Sequence, residues 1–209
     1  MPDLRHQTFE ELLHAAHESP AAGAEIERRY RSESAILVVE FTAMVRRTDA
    51  YGIVYALSLA RAAERAYEPV VRIHNGEFIK SVADSFFAVF SRPEDALAAA
   101  LNGTKRLGFF NQARTGTLTD GSRNDPILPC TGLGFGETLV IPGQDIYGSE
   151  VNRAFVLGED VAEGNEILCS VDFMNAICTP PAGVGMHDAP SDRADNAGFP
   201  FCIIQDFRE

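Results

Sequence analysis

Two acidic residues stand where core strands have no need of them. Glu40 closes a run of apolar, largely β-branched residues, 35–41, and Asp84 sits in the short turn of FIKSVADSFFAVF, residues 78–90, between two apolar segments. In a β-α-β-β unit the first strand is central and lies beside the hairpin that follows, so the two positions are expected close together. Carboxylates at the ends of neighbouring strands can hold a divalent ion such as Mg²⁺, with backbone carbonyls and a bound triphosphate completing its shell. A plainer reading stands beside this one: Asp84 as a turn residue and Glu40 as a strand-end charge.

Lys80 is the next candidate. Alternation through Phe78-Ile79-Lys80-Ser81-Val82 puts Phe78, Lys80 and Val82 on one face. A lysine on an apolar face is costly unless partnered. Asp145 can be that partner, or both can read the edge of a base. Asn152, beside Val151 at the start of a helix-like segment, offers amide hydrogen bonds or serves as a cap or surface residue. Other chemistries find no support. There is no GxxxxGK[ST] loop, GLGFGE is not GxGxxG, and no Ser-His-Asp or Cys-His set is legible. His74 reads as a helix-end residue.

The elements that must position these residues follow from patterning. Residues 8–31 read as helical, opened by a Thr8–Glu11 capping box and interrupted near Ser19-Pro20 and Gly23. Residues 35–41 form a buried strand, and 51–74 a helix kinked at Pro69. Two strands fill 78–90, and a helix opens at Pro93 and runs to about Phe110. Residues 111–126 are expected to be a polar loop, and 127–141 a strand pair or one long bent strand. Gly132, Gly134 and Gly136 leave one strand face bare, so something approaches the backbone there. A short helix over 148–159, a strand over 166–170, a Ser170-capped helix to Ile177, an irregular stretch 179–198 and a final strand complete the chain. The order implies an α+β sandwich: helices on one face of a mostly antiparallel sheet, with a helical extension over residues 1–34 and the main domain over 35–209.

Composition narrows the function classes. The 209 residues carry 18 Lys+Arg against 30 Asp+Glu, a net charge of −12, so duplex nucleic acid is not an expected partner. With 45% hydrophobic residues the chain is too apolar to be disordered. No apolar run approaches ~18 residues, so no membrane span is expected. The opening MPDLRHQTFEELLHAA has no apolar signal core. Cys130, Cys169, Cys178 and Cys202 form no C-x-x-C pair and read as reduced core thiols in a cytoplasmic protein.

Taken together, four blocks resemble the catalytic domain of class III adenylate/guanylate cyclases: AILVVEFTAMVRRT, NGEFIKSVADSFFAVF, LGFGETLVI and QDIYGSEVNRAFVLGEDVAEGNEILCS. The resemblance runs from about Ala35 to Ile177 and implies a ferredoxin-like βαββαβ core. It implies a Mg²⁺ or Mn²⁺ site at Glu40, Phe41 and Asp84, and a phosphate-binding turn at Thr42, Ala43 and Met44. Lys80 and Asp145 become the pair that reads adenine, Asn152 the residue that positions the ribose, and ATP the substrate. The family works as a dimer, with metal ligands from one protomer and the base pair and Asn from the other, so a homodimer is expected. Four positions depart from the pattern: Glu40 replaces the first metal Asp, Ala43 and Ala83 replace glycines, and Val156 replaces an Arg that steadies the phosphate, while Arg153 points about 100° around the helix. Two outcomes follow from the resemblance: a cyclase that turns over slowly, or a degenerate domain that binds nucleotide or dimerises without turnover.

Overall fold

A computed structural model describes residues 4–115 and 125–207. Its centre is one sheet of eight strands, ordered β2-β3-β1-β4-β6-β8-β7, with β5 paired to β4. β1 (Arg31–Phe41), β2 (Glu77–Val82), β3 (Ser85–Phe90) and β4 (Pro129–Ile141) form the βαββαβ core with α4 (Ile53–Ile73) and α5 (Pro93–Thr115). Their spatial order β4-β1-β3-β2 is ferredoxin-like, and every pairing among them is antiparallel. β6 (Ile167–Ser170) joins β4 in parallel, and β8 (Phe201–Asp206) and β7 (Val184–Asp188) extend the sheet beyond it.

The alternation of β1 divides the interior. Ala35, Leu37, Val39 and Phe41 point into one cluster with Leu59, Ala63, Tyr67 and Leu97 of α4 and α5. Ile36 and Val38 point to the other face, where Val151 and Ala154 of α6 (Ser149–Val156) cover them. Helices therefore lie on both faces, not one. The glycines of β4 explain why. A Cβ on Gly132 would stand 1.9 Å from the Ala154 carbonyl oxygen, and one on Gly134 2.5 Å from that of Glu150. The bare strand face is filled by the backbone of the chain's own α6.

Other expectations need correction. β1 begins at Arg31, four positions before the apolar run, because Arg31–Ser34 continue the ladder with β4. A helix unseen in the sequence, α3 (Met44–Tyr51), follows β1. The helix expected over 51–74 is α4, which begins two residues later and contains Pro69. α5 reaches Thr115, so 111–115 are helical, and residues 116–124 of the expected loop lie outside the described residues. The buried Asn111 side chain holds this end by bonding both the amide and the carbonyl of Ile127, at 3.0 and 2.8 Å. Residues 129–141 are one strand, and the irregular stretch 179–198 contains β7 and α8 (Ser191–Ala197).

The N-terminal residues form a helical hairpin, α1 (Phe9–Ala16) and α2 (Pro20–Tyr30), broken at Ser19-Pro20 while Gly23 stays helical. The Thr8–Glu11 capping box is formed. Phe9, Leu12, Ala22 and Ile26 pack on Ile141 of β4. Cys130, Cys169 and Cys202 are buried, Cys178 is exposed, and all four thiols are free. Among the described residues no helix is long and apolar enough to cross a membrane.

Candidate active site

The carboxylate pair is built by the β1–β3 ladder. Glu40 pairs with Ser85, and the Phe41 amide donates to the Asp84 carbonyl at 3.2 Å, so the two acids share one sheet end. Glu40 lies on the α6 face. Burial, with the charges of Asp84, Glu159 and Asp160, pushes its carboxyl up to about 7. Glu159 and Asp160 were not legible in the sequence. They are delivered by a π-helical turn, Leu157–Val161, that continues α6 and lays Gly158 within 3.2 Å of the Val38 carbonyl, measured from an added Cβ. Such turns are one-residue insertions in a helix, and hydrophobic periodicity does not register them. Burial raises the Glu159 carboxyl too, against a hydrogen bond to Ser85.

Both flanking turns are left-handed. Ala43, before α3, has φ 61°, and Ala83, before Asp84, has φ 52°. An alanine in this region costs ~1–2 kcal/mol. Of the expected phosphate-turn residues, Thr42 is already engaged: its amide donates to the Leu128 carbonyl at 3.0 Å, and its Oγ1 accepts from the Leu128 amide at 3.2 Å. That leaves Ala43 and Met44 at the head of α3, whose first-turn amides have no helical carbonyl behind them. Arg47, 2% exposed, ties this turn down through the carbonyls of Thr42 and, at 2.7 Å, Pro126. A cleft of about 260 Å³ lined by Met44, Thr48, Ile53, Leu57, Ala83 and Asp84 opens on the α4 side of the Asp84 turn. A larger one, about 550 Å³, lies between α8 and β8 and touches none of the candidate residues.

Lys80 and Asp145 meet. Nζ lies 2.6 Å from Oδ1, across 65 residues of sequence. The expected face of Lys80 needs correction. The β2–β3 register shifts between Phe78 and Lys80, so Phe78 stacks on Phe86 toward α4 while Lys80 lies 5.4 Å over the Phe87 ring on the opposite face. A bulge reverses the alternation beyond it. β5 (Asp145–Tyr147) carries Asp145 back along β4 after a tight turn at Gly143. Burial works against the Asp145 carboxylate, but Lys80, the Ile146 amide and Tyr147 together hold it below its ordinary value. Glu40 and the Lys80–Asp145 pair thus share one sheet face, while Asp84 sits in the turn at its end and lines the cleft beside α4. No bond between the two pairs is formed among the described residues, and Lys80 is not among the charges that perturb Glu40.

Asn152 is exposed on α6, one turn before Val156. Phe155, on the same helix, stacks on Phe87 at 6.0 Å, next to Lys80. Arg153 is turned away, as expected: it bonds the buried Glu150 and, at 3.2 Å, Asp172, and its guanidinium lies over Phe199. Among the described residues no group of three or more His, Cys, Asp or Glu side chains is arranged to hold a metal. Glu40 and Asp84 fit a divalent ion as part of a shell, because two crowded carboxylates, one already reluctant to ionise, gain most from a shared cation.

No protein-family model and no curated protein sequence matches the chain. Solved structures do. An adenylate/guanylate cyclase/hydrolase from Silicibacter pomeroyi superposes with a TM-score of 0.67 at 21% identity, over 86% of this chain and 98% of that one. The adenylyl cyclase CyaB from P. aeruginosa gives 0.65 at 17% identity, over 86% and 96%. The guanylate cyclase domain of RhGC from Catenaria anguillulae, solved in complex with GTP, gives 0.64 at 12% identity, over 85% and 99%. The chain therefore has the α+β fold of the class III adenylate/guanylate cyclase catalytic domains.

Proposed function

We propose that the chain from β1 onward, residues 31–209, is an adenylate cyclase-like domain, with the helical hairpin α1–α2 as its extension. It converts ATP to 3′,5′-cyclic AMP and pyrophosphate at sites shared by two copies of the chain. The observation that carries the reading is the Lys80–Asp145 pair, 2.6 Å apart on an otherwise apolar face that also holds Glu40. Adenine offers a ring nitrogen to the lysine and an exocyclic amine to the aspartate, whereas guanine presents an acceptor oxygen where the carboxylate needs a donor. Glu40, Asp84 and the Phe41 carbonyl hold Mg²⁺ or Mn²⁺, which supplies positive charge against the triphosphate. The head of α3, at Ala43 and Met44, approaches the phosphates, and Asn152 orients the ribose so that its 3′-hydroxyl faces the α-phosphate. The GTP-bound Catenaria anguillulae domain supports a nucleotide ligand for this fold. The exposed Ile53, Val54, Leu57 and Val82 around the same sheet end support a second copy as partner. Free thiols and ATP as substrate suit the cytoplasm.

A second reading has its own observation. The position one turn after Asn152 is Val156, and the neighbouring Arg153 is bound to Glu150 and Asp172. Losing one transition-state donor typically costs ~10²–10³ in rate. A degenerate domain that binds nucleotide or dimerises without turnover is the alternative. Purified protein incubated with ATP and Mn²⁺ or Mg²⁺ decides between them. Cyclic AMP formation is the expected result, and nucleotide binding without product would favour the alternative.

A further inference from the structure

Asp145 is held at both oxygens by the chain itself. Oδ1 accepts from Lys80 and, at 2.8 Å, from the Ile146 amide, while Oδ2 accepts from the Tyr147 hydroxyl at 3.1 Å. Tyr147 is 44% exposed, so core burial does not fix its ring. Phe9 does, stacking on it with centroids 6.1 Å apart and planes 14° from parallel. Phe9 opens α1, is 8% exposed, and meets Tyr30 of α2 edge-on at 5.2 Å. The hairpin is fixed in turn: Arg29 of α2 bonds Glu25 and the backbone carbonyls of Leu4 and Gln7 ahead of α1. A contact chain thus runs from the N-terminal helices through Phe9 and Tyr147 to Asp145 and Lys80.

We propose that Phe9 and Tyr147 are positioning residues for the Lys80–Asp145 pair, so that the choice of base is set in part by the N-terminal helical hairpin. The inference rests on the reading of that pair as the base contact. When a base draws Lys80 off Oδ1, the Tyr147 hydroxyl remains on Oδ2 and keeps the carboxylate from rotating. The stack on Phe9 keeps the hydroxyl in place at small entropic cost, since both rings are rigid.

The test uses the full chain as wild type, Tyr147→Phe and Phe9→Leu. The first keeps the ring and drops the hydroxyl. The second keeps an apolar side chain in the hairpin core and drops the ring, and circular dichroism confirms that the hairpin stays folded. Two readouts are taken: the NMR titration of the Asp145 carboxyl carbon without nucleotide, and the ratio of equilibrium affinities for ATP and GTP. Both variants are expected to move the Asp145 titration to higher pH and to cut the ATP preference ~3- to 10-fold, the range of one hydrogen bond to a poised group. An Asp145 titration unchanged in Tyr147→Phe would overturn the proposal, as would one that shifts there but not in Phe9→Leu. If the wild type binds neither nucleotide, the base-reading assignment fails, and the titration still decides whether the hairpin positions Asp145.

Discussion

The two charged pairs solve opposite problems. Lys80 and Asp145 are complete: opposite charges at 2.6 Å, an aromatic ring beneath the lysine and a further donor on each aspartate oxygen. Glu40 and Asp84 are incomplete: like charges at one sheet end, with Glu159 and Asp160 adding to the repulsion and a left-handed alanine in each flanking turn. The first region satisfies its own charges. The second collects negative charge that a bound cation would relieve, in turns that hold backbone strain at Ala43 and Ala83. Strain held by surrounding structure is common at ligand sites.

The sharpest way to break this contrast is to remove one acid. Asp84→Ala should abolish metal-dependent nucleotide binding, with an effect on turnover of ~10²-fold or more, while leaving the Lys80–Asp145 pair formed. Loss of both regions together would show that they are not separable. Next comes a gain. Val156→Arg places a cation on the Asn152 face of α6, and with Glu40→Asp it should raise kcat ~10²-fold with little change in KM, because both act on the transition state. A folded, dimeric double variant with no turnover would favour the degenerate reading.

A smaller effect is a pH dependence. The Glu40 carboxyl, raised to about 7, keeps its proton in the folded state above pH 4.5, where the unfolded chain has lost it. The metal-free protein should therefore lose stability as pH rises from about 4.5 toward about 7. Metal must displace that proton, so Mn²⁺ affinity should increase ~10-fold between about pH 6 and 8. Glu40→Gln should flatten the dependence in a metal-binding titration. Smallest of all, Ala43→Gly and Ala83→Gly should each stabilise the fold by about 0.5–1 kcal/mol in urea unfolding, since glycine takes positive φ without the Cβ clash.

Where local chemistry decides an element, the sequence was enough. The apolar run to Phe41, the turn at Asp84, the capping box at Thr8 and the Ser170 cap are all present. Glu40 and Asp84 share one sheet end, as the strand order implies, and Lys80 has in Asp145 the partner that a lysine on an apolar face needs. What escaped is tertiary or irregular. The bulge at Phe78–Lys80 leaves no composition signal, so alternation alone puts Lys80 on the same face as Phe78. The π-helical turn hid Glu159 and Asp160 inside a polar stretch. Gly132 and Gly134 announced a close approach, but only packing identifies α6 as the neighbour. Short β5, three residues long, is too brief for periodicity to register. Nothing in residues 1–34 signalled contact with Tyr147.

The most direct test of the contrast is calorimetric titration of ATP into wild type and Glu40→Gln, each with and without Mn²⁺. The account predicts that Mn²⁺ tightens ATP binding to the wild type by ~10-fold or more and does so far less in the variant, while metal-free binding is the same in both. Equal Mn²⁺ enhancement in the two proteins would contradict it, because the cation would then be held by the triphosphate alone and the carboxylate end of the sheet would have no part in it.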